Sequence, residues 1–167
     1  GDALGEMGGA AQVVEAVYST PMQAHAPMEP LNATAQVTAD RVDVWLGTQN
    51  PVSNIAEASE MTGVPPENCY VHNCFLGGGY GGRGGRSEVR QAVAIAKELD
   101  GRAVQMLWTR EVEFANDYFD PSRTSLFRAG LGTDGMPKAW YNHTVADSIF
   151  GWLRPDSVAN GVDRIGA

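Results

Sequence analysis

Residues 77–86 constrain the fold of this chain more than any other stretch, because seven of these ten residues are glycine. Glycine loses more backbone entropy on folding than any other residue, so such a run needs a structural or functional reason. A strand-like apolar segment precedes it at residues 68–76, and a helical pattern follows at residues 87–99. Loop N–H groups and the positive end of the helix dipole would converge there. The sequence therefore predicts an anion-binding loop, built mostly from main chain and suited to a phosphorylated cofactor.

Alternation and helical spacing predict the other elements of the chain. Strands are expected at residues 12–18, 33–37, 42–46, 70–76, 103–108, 124–131 and 138–146, and helices at residues 51–62, 87–99 and 109–114. Turn residues between the second and third strands, and between the last two, are typical of β-hairpins. We predict an α+β (mixed α/β) fold, with hairpins and a strand–glycine-loop–helix–strand unit around a mixed sheet. The two strands of that unit are expected to pair in parallel.

The expected organisation has three parts. Residues 1–11 are rich in glycine and alanine and are expected to form a flexible lead-in. Residues 12–150 carry the periodic segments and form the expected domain. Residues 151–167 lack periodicity and are interpreted as a loop or tail. The first residue is not Met, and we interpret the chain as a segment of a longer protein.

Charge and composition argue against several classes of partner. The formal net charge is -8, whereas general binding to nucleic acid or to anionic membranes needs excess cationic charge. No apolar run approaches the roughly 20 residues that cross a bilayer. Cys69 and Cys74 are five residues apart on a predicted strand, so they should face opposite sides and stay unbonded. With three scattered histidines, they form no zinc-like cluster.

Several polar residues are open to both a structural and a functional interpretation. His25 and Glu29 have helical metal-pair spacing, but Pro27 lies between them, so a hydrogen-bonded structural pair is the favoured interpretation. Gln49 follows a strand end and is either a turn residue or an amide donor aimed at a ligand; the spacing favours a turn. Asp117 belongs to a charged loop that is expected to be solvated.

The glycine run itself admits several interpretations. Gly77, Gly79 and Gly82 match the dinucleotide fingerprint formally, but such a match carries little weight in so glycine-rich a segment. The Arg-Gly-Gly repeats of RNA-binding proteins occur in basic tails, whereas this chain is acidic. A loop that merely packs closely is a further possibility.

Four segments in order resemble the molybdenum-binding large subunit of the xanthine dehydrogenase and aldehyde oxidase family. They are residues 22–30 (MQAHAPMEP), 48–51 (TQNP), 77–83 (GGGYGGR) and 108–111 (WTRE). Within that family the chain most resembles the isoquinoline 1-oxidoreductase β-subunit branch. The resemblance runs from about Val13 to Val145.

The resemblance implies a molybdenum hydroxylase that uses molybdopterin, often as the cytosine dinucleotide, and acts on an N-heterocycle or aldehyde with oxygen from water. Gln49 matches a glutamine whose amide lies beside the metal's oxo ligand. Tyr80 stands where the family usually has Phe, in the loop that lines the metal and the pterin. Neither residue is expected to be a direct metal ligand. The cofactor-binding residues expected from the resemblance are Gln49, Gly78, Gly79, Tyr80, Gly81, Gly82 and Arg83.

Two departures from the family pattern matter. Gly84 stands where xanthine dehydrogenases carry Glu, which puts a purine-type substrate contact in doubt. The family's catalytic base is a glutamate far downstream, so no catalytic residue is assigned in this chain, and the segment alone is expected to be inactive. The resemblance also implies a [2Fe–2S] small subunit as electron-accepting partner. A nicotinamide-dependent oxidoreductase, with Glu111 on the ribose, and a non-catalytic binding or assembly module are the alternatives.

Overall fold

The structure is a computed structural model that describes residues 1–84 and 87–163. Its helices are α1 (Ala3–Met7), α2 (Pro51–Thr62), α3 (Ser87–Lys97), α4 (Arg110–Ala115) and α5 (Ile149–Leu153). Its strands are β1 (Gln12–Thr20), β2 (Asn32–Val37), β3 (Val42–Leu46), β4 (Cys69–Asn73), β5 (Val104–Leu107), β6 (Arg123–Leu131), β7 (Pro137–Ala146), β8 (Val158–Ala159) and β9 (Val162–Asp163). The chain divides into two compact units, residues 24–118 and residues 1–23 with 119–167. The prediction of a mixed α+β fold is confirmed.

The unit of residues 24–118 is a four-stranded mixed sheet with α2 and α3 packed on one face. The strand order is β4-β3-β2-β5, with β3 and β4 parallel and the other pairs antiparallel. The apolar stripe of α3 is fully buried against the sheet, as its i, i+3, i+4, i+7 spacing predicts. Its buried members are Val89, Ala92, Val93 and Ala96, whereas Leu99, the fifth residue of the predicted stripe, lies beyond the end of α3 and is half-buried. Burial of this stripe fixes α3, which follows the glycine run, against the sheet.

One predicted strand pairing is wrong. The strands that flank the glycine run, β4 and β5, lie at opposite edges of the sheet and do not pair. The β2–β3 hairpin lies between them, because β2 pairs with both β3 and β5. The parallel partner of β4 is β3, and the connection between them contains α2. The β-α-β unit of this fold is therefore β3–α2–β4, one element earlier than predicted.

The boundaries of two elements also differ from the prediction. The strand β4 ends at Asn73 instead of residue 76, and Phe75 is fully exposed beyond it. The helix α3 ends at Lys97, two residues early, and the chain turns through Gly101 at φ +78°. Both cysteines are free thiols, as predicted, but only Cys69 is buried, because Cys74 lies beyond the end of β4 and is exposed.

The second unit contains the antiparallel sheet β1-β6-β7. The predicted β6–β7 hairpin is present, with Gly135 at φ +76° in its connection. The expected lead-in contains α1, which Asp2 caps and which buries Met7. The segment expected as a loop or tail contains the last part of α5 and the β8–β9 ribbon. Residues 85–86 of the glycine run and residues 164–167 lie outside the described part of the chain.

No helix in the described ranges is long and apolar enough to cross a membrane.

Candidate cofactor site

The glycine loop leaves β4 with a backbone that ordinary residues rarely adopt. Gly78 and Gly81 have φ values of +100° and +112°, which glycine adopts without steric cost. Tyr80, between them, also has a positive φ, of +55°, although it carries a large side chain. Its side chain is 74% exposed, so no surrounding packing explains the conformation. A strained, exposed aromatic residue of this kind is more common at functional sites than elsewhere.

Two side chains pack against the ends of the loop, one leaving no room for a Cβ atom on Gly77 and the other leaving little room for one on Gly82. A Cβ atom on Gly77 would lie 2.4 Å from Cβ of Glu29, and one on Gly82 would lie 3.1 Å from Cγ of His25. His25 is held in turn by Asp117, which accepts a hydrogen bond from its backbone N–H at 2.6 Å and bonds its Nδ1 at 2.7 Å. These contacts support the close-packing interpretation for these two glycines.

The predicted pairing of His25 with Glu29 is therefore wrong, and so is the expectation that Asp117 is solvated. His25 and Asp117 are 92 positions apart in the chain, and both side chains are largely buried. Glu29 instead forms an ion pair with Arg83. Neither pairing has a local sequence signal, because each joins segments that only the tertiary fold brings together.

Gln49 lies against the middle of the loop. Its Oε1 accepts hydrogen bonds from the backbone N–H groups of Gly81 and Arg83, both at 3.1 Å. A Cβ atom on Gly79 would lie only 2.7 Å from the same oxygen. Because two donors fix the oxygen, the orientation of the amide is defined, and Nε2 has no acceptor among the described residues. Gln49 thus presents a free amide donor beside the loop, the less favoured of the two sequence interpretations.

Asn50, the neighbour of Gln49, has the turn role. Its side chain accepts a hydrogen bond from Ser53 N–H and caps α2, with Pro51 in the first turn.

Three consecutive peptide groups of the loop are also free. Gly81, Gly82, Arg83 and Gly84 all donate their N–H groups within the loop or to Gln49. Within residues 1–84 and 87–163, no acceptor binds the N–H groups of residues 78–80. Buried N–H groups are almost always paired, and Gly79 is buried and Gly78 half-buried, so this row is a candidate ligand site. These groups and Gln49 Nε2 make a cradle of donors.

Arg83 is placed differently from the expectation that it binds a cofactor through its basic side chain. The side chain is 0% exposed. Its guanidinium donates to the main-chain carbonyls of Glu29, Pro30 and Gly47. Only the main chain of Arg83 takes part in the loop surface, through its bond to Gln49.

Two further carboxylates near Arg83 are buried, and no sequence pattern identifies either as such. Burial raises the pKa of Glu88 and of Glu113 above the ordinary value, while the Arg83 charge partly opposes both shifts. The helical pattern makes Glu88 a first-turn residue that complements the helix dipole, and it does not single out Glu113. For Glu113, the sequence gives one local signal of its ion pair: Arg110 lies three residues earlier on the same helix. The two side chains form that ion pair at 2.6 Å.

The described residues contain no group of three or more His, Cys, Asp or Glu side chains placed to hold a metal ion.

Comparisons with known proteins identify the family. The family model described as "Molybdopterin cofactor-binding domain" matches residues 1–158. The beta chain of isoquinoline 1-oxidoreductase from Brevundimonas diminuta is 30% identical over 132 residues, which are 78% of this chain and 17% of the relative. PaoC, the molybdenum-binding subunit of an aldehyde oxidoreductase from Escherichia coli strain K12, is 27% identical over 135 residues, 81% of this chain and 18% of the relative.

Solved structures share the fold. Aldehyde oxidoreductase from Desulfovibrio gigas matches with a TM-score of 0.65 and 17% identity, over 92% of this chain and 17% of that protein. Quinoline 2-oxidoreductase from Pseudomonas putida 86 matches with a TM-score of 0.62 and 22% identity, over 84% of this chain and 18% of that protein. The chain thus spans less than a fifth of the length of these relatives. It belongs to the molybdopterin cofactor-binding domain family.

Proposed function

We propose that this chain forms one wall of the molybdopterin site of a molybdenum hydroxylase that acts on an N-heterocycle or an aldehyde. The single observation that carries the proposal is the cradle of free donors, three loop N–H groups beside the fixed amide of Gln49. The family match supports the cofactor, and the relatives' names support the two substrate classes. The cofactor is molybdopterin, either unmodified or as the cytosine dinucleotide.

The free donors fit such a group. Pterin, dithiolene and phosphate are all rich in acceptors, and side-chain-free peptide groups allow them to approach the main chain. The residues that would hold the cofactor are Gln49, Gly78, Gly79, Tyr80, Gly81 and Gly82, with Arg83 acting through its main chain. When bound, the group supplies molybdenum, which accepts two electrons from the substrate and provides oxygen derived from water.

In this site, Gln49 would orient the metal-bearing end of the cofactor through its Nε2 donor, and Tyr80 would lie near the metal without binding it. The amide is preorganised for this task, because Oε1 is already occupied by two loop N–H groups. The exposed ring of Tyr80 would help to keep water away from the reacting atoms.

No carboxylate of this chain is proposed as the general base. Glu29 is engaged by Asn32, Gly77 and Arg83, and although burial alone would raise its pKa, these contacts hold the pKa below its ordinary value. Glu88 and Glu113 are buried away from solvent. We propose that the base lies in another part of the full-length protein. We also propose that a [2Fe–2S] small subunit removes the electrons, which the naming of the relatives as subunits supports.

Analysis of the protein purified from its source, as its complete reading frame, tests the proposal. We expect stoichiometric molybdenum by elemental analysis and a pterin after oxidative release. Replacing Gly79 by Val would place a Cβ atom 2.7 Å from Gln49 Oε1 and displace that amide, so it is expected to lower the molybdenum content. Gly84→Ala is the matched control, because a Cβ there meets nothing within 4 Å. Purified protein with neither molybdenum nor pterin would overturn the proposal.

A further inference from the structure

An ion pair between the fully buried Arg83 and the partly exposed Glu29 lies against the glycine loop. Nη2 of Arg83 is 3.1 Å from Oε2 of Glu29, and the Arg83 side chain has no exposed surface. The same guanidinium donates to the carbonyls of Pro30 at 3.3 Å and Gly47 at 3.4 Å. A buried charge is retained only where partners compensate its desolvation, and here ion pair and carbonyls do so together.

Glu29 connects this ion pair to the beginning of the loop. Its Oε2 accepts a hydrogen bond from Gly77 N–H at 2.9 Å, and its own N–H donates to the Gly77 carbonyl at 3.1 Å. Asn32 Nδ2 donates to Oε1 at 3.0 Å and orients the carboxylate. The first residue of the loop is therefore held by both the side chain and the main chain of Glu29.

The main chain of Arg83 holds the other end of the loop. Its N–H donates to Gln49 Oε1, and its carbonyl accepts from Gln49 N–H, both at 3.1 Å. The hydroxyl of Thr48 also donates to that carbonyl, at 3.1 Å. Arg83 thus contacts Glu29 with its side chain and Gln49 with its backbone.

We propose that Arg83 and Glu29 form a clamp that fixes both ends of the loop, and that they are positioning residues of the cofactor site, not cofactor ligands. The proposal rests on the proposed function of the loop. The free N–H groups of residues 78–80 lie between the two fixed ends. Their spacing, and the direction of Gln49 Nε2, follow from the clamp.

Hydrogen–deuterium exchange of the holoenzyme, read in peptides that cover residues 77–84, tests the clamp. The single variants are Arg83→Met, Arg83→Lys and Glu29→Gln. A double variant combines Arg83→Met with Glu29→Gln. Losing charge-assisted hydrogen bonds should accelerate exchange of the bonded loop amides by about 10- to 100-fold. Exchange in β2 and β3 should change by less than about threefold. Arg90→Met is the matched control, because the ion pair of Arg90 with Glu60 is exposed.

Two features separate a clamp from a residue that only fills the core. The double variant should accelerate exchange no more than the larger single effect, because both residues belong to one linkage. Arg83→Lys should recover part of the protection, since it restores the charge beside Glu29. Across the series of variants, those with less protection of the loop amides from exchange should also contain less molybdenum.

Equal acceleration in β2, β3 and the loop would overturn the clamp, and so would fully additive effects of the two substitutions. If Arg83→Met fails to fold, Glu29→Gln and Arg83→Lys still show whether exchange accelerates in the loop alone or equally in β2 and β3. Wild-type protein without molybdenum would refute the proposed function and leave the exchange comparison valid. Molybdenum-loaded variants with unchanged loop exchange would refute the clamp alone.

Discussion

At the scale of single residues, the site depends on amide orientation more than on charge. Gln49 is matched by a sequence resemblance, but spacing alone favours a turn role. The structure gives the turn role to Asn50 and leaves Gln49 with two bonded loop amides and a free donor. The sequence could not decide this, because the two N–H groups come from residues more than 30 positions away.

Gln49→Glu isolates the function of that donor. The substitution keeps an oxygen for the two loop N–H groups and replaces Nε2 with a second acceptor. We expect kcat to fall by about 100-fold or more, the usual cost of one lost preorganised donor. Molybdenum content and loop exchange should remain near wild type, because the acceptor side is intact. A wild-type kcat in molybdenum-loaded Gln49→Glu would exclude Gln49 from the chemistry.

At the scale of elements, local sequence patterns predict the bounds of a strand and the buried face of a helix, because local interactions determine these features. The strand β3 is predicted with its observed bounds, and the α3 stripe follows directly from helical spacing. The predicted pairing of β4 is wrong, because pairing depends on the β2–β3 hairpin, which lies between the two candidate partners. The buried environment of Arg83 has the same origin. Its contacts with Glu29 and Gly47 are set by tertiary packing, which a basic residue in a loop does not signal.

The link between β3 and the neighbouring β4 gives a prediction at this scale. Asp43 of β3 binds Arg41 at 2.6 Å and His72 of β4 at 2.8 Å. The hydrogen bonds from Arg41 are the largest cause that lowers the pKa of Asp43, to about 2, although burial opposes the shift. A lowered folded-state pKa means that the stabilisation is present above the ordinary pKa and is lost as pH falls through about 2.

Asp43→Asn should therefore lower the free energy of unfolding at pH 7 by about 1–2 kcal/mol, allowing for the solvent exposure of Arg41 and His72. Equilibrium denaturation in urea measures the difference, which should shrink as the pH is lowered toward 2. Asp40→Asn, in the same hairpin, is the control and should cost less than about 0.5 kcal/mol. A pH-independent difference would show that Asp43 acts through packing and not through its charge.

At the scale of the whole molecule, a row of aromatic side chains lies on the sheet β1-β6-β7, with an exposed ring at each end and a half-buried ring between them. The rings of Tyr18, Phe127 and Trp140 form a continuous row on one face, with centroids 5.8 and 5.9 Å apart. An ion pair between Glu15 and Arg128 interrupts the opposite face. A contiguous exposed apolar patch favours association in water. In the part of the chain that the structure describes, Tyr18 and Trp140 remain more than half exposed, at 62% and 60%.

The 167-residue chain on its own should consequently self-associate through this aromatic row. Sedimentation velocity should show a weight-average sedimentation coefficient that rises with concentration. Trp140→Lys places a charge on the row and on an outer strand of that sheet, so it should suppress the rise. Val145→Lys is the matched control: Val145 lies on the same strand, is 65% exposed against 60% for Trp140, and faces the opposite side. If both lysine variants suppress association equally, net charge and not the aromatic row controls it, because only Trp140 belongs to that row.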